Sequence, residues 1–427
     1  MTSQNFSRRK VLQTLAALPL FSIVPRHVLG RGFLAPSDRI NLGFIGCGRQ
    51  AGGLLSNFMK TNEVAVVGYS EVHQKKADRF RENHTKNSPE GKPANELTFH
   101  QNYRELLDRK DIDAVIIATP DHWHGVQCVE ALNRGKDVYC EKPLTLTVAE
   151  GRAVAKAVEK NKRVFQTGSM QRSWENFRKA SELVRNGYIG EIKEIIVSVG
   201  GPPVPVDFGT EPVPAWLNWQ MWLGPNPEFP YNNGLAPEMP ETFWAKWRNY
   251  QGFGGGGMTD WGAHMFDIAQ WALNMDHSGP VEVTPPVAPA NEGLIYRYAN
   301  GVLMKHQSFG RGNAIRFIGS EGQIDLSRAF LDVPEKLKNL TPKPSDVRLP
   351  APVNHYADFL NSIRTRQQPI ADAETGHRTA TVCNIGNIAY QLRRPLQWNP
   401  KKEQFKGDKE ANALLSRPLR DAYSIKL

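Results

Sequence analysis

Short apolar runs alternate with stretches of helical spacing from residue 39 to residue 168. The runs Ile40–Ile45, Val64–Gly68, Ala114–Ala118, Asp137–Cys140 and Val164–Gln166 are short and largely continuous in their apolar character, which predicts strands buried on both faces. Between them, Leu54, Leu55, Phe58 and Met59 share one helical face, and helices are predicted over Gln74–Asn83, Tyr103–Leu107, the stretch ending at Leu132, and Val148–Lys160. The polar, proline-bearing stretch Glu82–Leu97 reads as a loop. This alternation predicts a right-handed parallel α/β sheet, in which ligands bind beyond the carboxyl ends of the strands. The turns at Gly46, Thr119 and Glu141 all fall there.

The pattern changes after residue 168. A helix over Glu175–Arg185 leads to Glu191–Val199, whose alternation suits a strand with one wet face. Residues 200–253 are rich in Pro, Gly and Trp (Trp216, Trp219, Trp222, Trp244, Trp247), too aromatic for a disordered segment. Two readings stand for these rings: stacking on the C–H faces of a sugar, or packing of a loop-rich insertion. A glycine run, Gly254–Gly257, opens a helix from Met258 to Leu273. Strands at Leu294–Tyr298, Val302–Gln307, Ala314–Ile318 and Gly322–Leu326 have antiparallel turns between them, and helices near Tyr356–Arg364 and Thr375–Gln391 follow. The expected class is α/β: a Rossmann-type domain over 38–168, an α/β domain with an open-faced, mostly antiparallel sheet over 169–395, and a tail over 396–427. The open sheet face is suited to pairing with a second copy of the chain.

Composition alters this picture at one place. The net charge is +10, but Arg8, Arg9, Lys10 and Arg26 lie in the first 30 residues with no acid among them, leaving +6 spread among acids. That distribution argues against a nucleic-acid partner. Ser7-Arg8-Arg9-Lys10-Val11-Leu12 precedes a mild apolar run too short and proline-broken to span a bilayer, so residues 1–30 read as a twin-arginine signal. Export through the twin-arginine machinery to the periplasm, with no stable membrane insertion afterwards, is the expectation. The four cysteines are widely spaced with no C-x-x-C pair, which excludes a zinc ribbon or thioredoxin-type site.

Gly46-Cys47-Gly48-Arg49-Gln50-Ala51 fits G-x-G-x-x-G/A between a strand and a helix. Gly46 permits the tight turn, Gly48 the approach of a pyrophosphate, and Ala51 close helix packing, with helix N–H groups aimed at phosphate. Glu71, 23 residues beyond Gly48 at the end of the second strand, can accept from an adenosine ribose diol and repel a 2′-phosphate, favouring NAD over NADP; the other reading is a glutamate opening the next helix. Arg49, Gln50, Thr119, Pro120, His122 and Glu141 complete the expected cofactor set. Lys142, between Glu141 and Pro143, points an ammonium into the crevice where it can stabilise developing alkoxide charge. Asp260 and His264 are four apart on one predicted helix face, as an acid–base pair or as a helix-start acid and a core histidine. Trp123, His124, Gln171, Arg172 and Trp261 are the candidate substrate contacts. His122 and His124 lack a third ligand nearby, so no metal site is expected.

The combination GCGRQA, ATPDHWH, CEKPLT, TGSMQR and GGMTDWGAHMFD, in this order and over nearly everything after residue 38, resembles the Gfo/Idh/MocA oxidoreductases. The resemblance implies NAD(P)-dependent oxidation or reduction of a sugar, glycoside or cyclitol, a second domain used in oligomerisation, Lys142 as the catalytic lysine, and Asp260 and His264 as the pair gripping substrate. Tyr69-Ser70-Glu71 departs from the aspartate common at that strand end. Because free NAD is scarce outside the cytoplasm, export implies a tightly held nicotinamide regenerated on the enzyme. The competing expectations are a glycosidase that uses NAD transiently through oxidation and elimination, and a non-catalytic carbohydrate-binding protein on a Rossmann frame.

Overall fold

In a computed structural model the described residues are 38–88, 97–239 and 244–425; the proposed signal segment, 1–30, lies outside them. The first sheet contains β1 (Ile40–Ile45), β2 (Val64–Ser70), β3 (Thr98–His100), β4 (Ala114–Ile117), β5 (Asp137–Cys140) and β6 (Phe165–Thr167), all parallel, in the order 3-2-1-4-5-6. Every residue of β4 and β5 is buried, as a parallel strand covered on both faces requires. The strand order reverses between β1 and β4, and that switch point opens a crevice at the carboxyl ends. The expected loop over 82–97 begins late: its first residues extend the helix Gln74–Asn87. The edge strand β3, too short to show a period, was not anticipated.

The second sheet contains β7 (Ile192–Ser198), β8 (Glu282–Thr284), β9 (Leu294–Arg297), β10 (Leu303–His306), β11 (Ala314–Gly319), β12 (Gly322–Leu326), β13 (Leu331–Asp332), β14 (Leu396–Asn399) and β15 (Gln404–Phe405). Its order is 13-12-11-7-10-9-8-14-15, antiparallel except for β7 beside β10. Helices Glu175–Arg185, Gly262–Ala272 and Ala373–Leu392 bury Phe177, Phe266 and Ile385 with inward-facing Ile195, Val197 and Phe317 in one core. The opposite face carries cross-strand ion pairs, Lys305–Glu194 at 2.5 Å and Arg316–Asp325 at 2.7 Å.

Two sets of contacts cross the expected domain limits. The helix His355–Thr365 lies late in the chain but packs Phe359, Leu360 and Ile363 against Phe58 and Tyr139 of the first domain. Residues 396–427 are more than a tail: β14 pairs with β8, and residues 414–425 form a strap over the first domain. In that strap Arg417 donates to the His122 carbonyl at 2.6 Å and to Glu150 at 2.8 Å, while Arg420 donates to the Gly224 and Gln220 carbonyls at 2.5 and 2.8 Å. Tyr423 sets its ring edge-on to Trp123, 5.2 Å away.

Candidate cofactor cleft and catalytic site

The crevice at the switch point is a cleft lined by the turn after β1, the end of β2, the turn after β4 and the tryptophan-rich insertion. Its floor is the turn after β1. Gly46 has φ +83°, and a Cβ there would stand 2.8 Å from the Thr119 backbone nitrogen, so only glycine fits. An added Cβ at Gly48 would meet nothing within 4 Å. The helix Arg49–Met59 starts there with no side-chain cap, leaving its first N–H groups turned to the cleft. Ala51 is fully buried against the sheet. An anionic diphosphate is what this combination of open backbone and uncapped helix suits.

Glu71 sits at the end of β2 and accepts from the Cys47 amide at 2.7 Å and from the Val72 and His73 amides at 2.8 and 3.0 Å. Three of its roughly four lone-pair sites are thus taken, which fixes the carboxylate at the cleft wall with capacity for one more donor. It does not open the next helix, whose cap is His73 accepting from Lys76 N. Thr119 and Pro120 line the opposite wall.

The roof is the tryptophan-rich insertion. Its backbone is stitched to the loop after β2 by Gln74 N to Trp216 O and Asn218 N to Val72 O, at 2.8 and 2.9 Å. Trp219 and Trp222 stack at 4.8 Å, and Trp222 and Trp247 face the cleft. Trp244 lies between two guanidinium groups, Arg49 from the phosphate turn and Arg248 from the insertion, each 4.9 Å from its centroid. Of the two readings for these rings, packing holds for most of them, and what they pack over is the cofactor cleft.

Lys142 follows β5 by two residues and lies outside the cleft lining. Its Nζ donates to Asp260 Oδ1 at 2.6 Å and to the Asp260 carbonyl at 2.9 Å, leaving one N–H. Burial raises the Asp260 carboxyl, but Lys142 and Arg248 outweigh it and hold the group below its ordinary range as an anion. Glu141 accepts from Gln50 Nε2 at 2.8 Å, tying the lysine's strand end to the phosphate turn; burial lifts its carboxyl above the usual range. Asp121, buried at the start of its helix, is pushed up to about 8 by burial.

The helix expected from Met258 to Leu273 breaks at Trp261 into Gly257–Asp260 and Gly262–Ala272. Asp260 therefore turns to Lys142 and makes no hydrogen bond to His264. Instead Arg328, from the loop after β12, donates from one terminal nitrogen to His264 Nε2 at 3.0 Å and from Nε to Gln171 Oε1 at 3.1 Å. An arginine cannot accept, so Nε2 is the acceptor and the ring proton sits on Nδ1, which is buried without a partner. Burial first, then Lys142 and Arg328, hold the imidazole well below its usual range, so it is neutral. Trp261 carries the Arg328 guanidinium 4.6 Å above its ring.

Family models match both halves of the chain. An oxidoreductase-family NAD-binding Rossmann fold matches residues 40–169, and the C-terminal alpha/beta domain of the same family matches residues 206–425. The chain belongs to the Gfo/Idh/MocA oxidoreductase family. NAD(P) is its cofactor, and the cleft above has the open turn, uncapped helix and anchored carboxylate that the dinucleotide needs. The chain is similar to a glycosyl hydrolase family 109 protein of Shewanella sp. (32% identical over 179 residues, 40% of this chain) and to the alpha-N-acetylgalactosaminidase of Shewanella oneidensis (31% over 179 residues). Each match spans 38% of the relative's length. Among solved structures, the WlbA dehydrogenase from Bordetella pertussis, in complex with NADH and UDP-GlcNAcA, superposes with a TM-score of 0.60 at 17% identity, covering 84% of this chain and 99% of that one. An NAD-binding protein from Listeria innocua gives 0.57 at 20% identity, covering 84% and 97%. These two share the fold.

Within this family member the remaining expected residues divide. Trp123 lines the cofactor cleft and donates to the Trp222 carbonyl at 3.0 Å, so it holds the roof and faces no substrate pocket. His122 bonds the same carbonyl at 3.0 Å, fully buried and outside the cleft lining. His124 sets its ring nitrogens 2.8 and 3.0 Å from the Pro143 and Thr119 carbonyls, bracing the lysine turn. Arg172, expected at substrate, is 2% exposed and pairs with Asp267 at 2.8 Å and Asp276 at 2.7 Å. Gln171 and Trp261 reach the site through Arg328. Arg248, in the 3-10 turn Lys246–Asn249, and Arg328, in a loop, escaped sequence reading because neither lies in a motif. Among the described residues no group of three or more His, Cys, Asp or Glu gathers at metal-binding distance, and no helix is long and apolar enough to cross a membrane.

Proposed function

We propose that this chain is an exported NAD-dependent oxidoreductase acting on a hydroxyl or ketone of a sugar, glycoside or cyclitol, with a cofactor held tightly under the insertion. The observation that carries the reading is the Lys142–Asp260 pair, joined to the cleft through Arg248 and with one lysine N–H to spare. When bound, NAD(P) supplies hydride uptake or return. Lys142 donates its remaining N–H to the substrate oxygen and steadies the negative charge that develops there, while Asp260 holds its Nζ at 2.6 Å. His264 is the acid–base group: a substrate oxygen that replaces Arg328 at Nε2 meets a neutral ring able to accept its proton. NAD is preferred over NADP because Glu71 places a carboxylate where a 2′-phosphate would approach. The twin-arginine signal supports export to the periplasm of a protein already folded around its cofactor, and the open face of the second sheet supports a homo-oligomer.

The family 109 relatives favour a second reading, a glycosidase in which oxidation, elimination of the aglycone, hydration and reduction leave the cofactor unchanged overall. Denaturing the purified protein and weighing the released cofactor, then screening glycosides for ketone formation and aglycone release, tests both. Net NADH supports the dehydrogenase, and cleavage without net NADH the glycosidase. Neither product, with sugar binding intact in wild type and Lys142→Ala alike, would leave a binding protein.

A further inference from the structure

Arg328 is an exposed residue that reaches in to His264 and makes no ion pair, with Glu141 and Asp260 the acids whose charge it feels. Its two hydrogen-bond partners, the Gln171 amide oxygen and His264 Nε2, are both neutral, and among the described residues no carboxylate lies within ion-pairing distance of it. Trp261 and Trp174 carry its guanidinium on their rings at 4.6 and 5.3 Å, which fixes the plane of the group. Arg328 is absent from the lining of the cofactor cleft, so its charge is not spent on the dinucleotide phosphates. Lys142 and Arg248 add two more cations nearby, and both lean on the single carboxylate of Asp260, at 2.6 and 3.6 Å. Burial raises the Glu141 carboxyl and pushes that of Asp121 up to about 8, which weakens the anions set against these cations.

More buried arginines of this chain are balanced, Arg172 by two aspartates and Arg152 by two glutamates, while Arg328 is exposed. Arg328 instead spends two of its five N–H groups on neutral atoms and keeps three on its terminal nitrogens, the fork that a planar carboxylate accepts in two parallel bonds. Resting on the oxidoreductase reading above, we propose that the substrate is a carboxylate-bearing sugar, a uronate or its glycoside, with its carboxylate held by Arg328. Binding of that carboxylate draws the guanidinium off His264 Nε2 and frees the ring for the reacting hydroxyl. The same contact thus selects the substrate and uncovers the base.

The test uses cofactor-loaded full-length protein and matched probes: p-nitrophenyl glucuronide and galacturonide, the corresponding glucoside and galactoside, and the 6-sulfated glycosides. Ketone formation and p-nitrophenol release are both followed. A charge-assisted fork is worth about 1.5–3 kcal/mol, so one uronide is expected to exceed its neutral counterpart in kcat/KM by roughly 10- to 100-fold. Arg328→Gln is expected to collapse that ratio towards one, mainly through KM, and Arg328→Lys to restore part of it. Tryptophan fluorescence titration with the same probes is expected to show the same ranking without turnover. A neutral glycoside turned over as well as its uronide, with a ratio that Arg328→Gln does not move, overturns the proposal and leaves Arg328 as a positioning residue for His264. Preference for the sulfate over the uronide overturns the carboxylate assignment. Uronide binding that depends on Arg328, with no redox product or cleavage from any probe, supports the anion site and sinks the oxidoreductase reading alone.

Discussion

Arg328 donates to His264 Nε2 at 3.0 Å, and this bond fixes the tautomer of a histidine that burial first, then Lys142 and Arg328, keep neutral. Because the ring is already neutral, its ordinary titration near 6.5 is absent from the free enzyme. The kcat/KM profile is expected to show no acid limb between pH 6 and 7. Arg328→Met removes a nearby cation and is expected to move an acid limb upward into the measurable range. A limb near 6.5 in wild type that vanishes in His264→Asn would overturn this.

Lys142 and Asp260 are expected to act as a unit. Lys142→Ala should lower kcat by about 10²–10³, the loss typical of one preorganised donor. Asp260→Asn should cost a comparable factor, and the double variant little more than either single one, because each residue works through the other. Full additivity in the double-mutant cycle would refute the coupling.

Trp244 closes the roof by lying between Arg49 and Arg248. Two cation–π contacts of about 0.5–1 kcal/mol each are lost in Trp244→Ala, so cofactor release should accelerate roughly 5- to 30-fold. Retention of nicotinamide absorbance through gel filtration, timed against wild type, measures it.

Arg172→Leu leaves Asp267 buried without its partner and should destabilise the fold by about 3–5 kcal/mol. Denaturant unfolding reads this directly. The specific activity of the folded fraction should change far less, since Arg172 touches no part of the site.

Acid lability should follow from the buried histidines. His122 is held down to about 3 and His355 to about 4, both chiefly by burial. Each is neutral when folded and gains a proton when unfolded below about pH 6.5, so stability is intact above that pH and falls as pH drops. The slope contributed is about 1.4 kcal/mol per pH unit per histidine. His355→Asn should flatten the dependence of unfolding free energy on pH between 6.5 and 4.

Much of this was legible in the chain. Ile40–Ile45, Ala114–Ile117 and Asp137–Cys140 announce themselves because a doubly covered strand has little room for polar residues. Lys142 and the glycine turn were found because their chemistry is local: strand end, turn and helix start are consecutive in sequence. Arg328 was not, since its role depends on His264, 64 residues away, and on two tryptophan faces brought together only by folding. Arg172 misled for the same reason. Its partners Asp267 and Asp276 lie about a hundred residues on, and nothing near TGSMQR shows them. The break at Trp261 likewise escaped a reading based on spacing, which treats Asp260 and His264 as neighbours on one uninterrupted helix.

The strap bears on the order of events during synthesis. Arg417 and Arg420 clamp the insertion near Gln220–Asn226, yet they are made nearly two hundred residues after it. Until they emerge, the insertion is held by its bonds to the loop after β2, and the strap adds its hydrogen bonds late in synthesis.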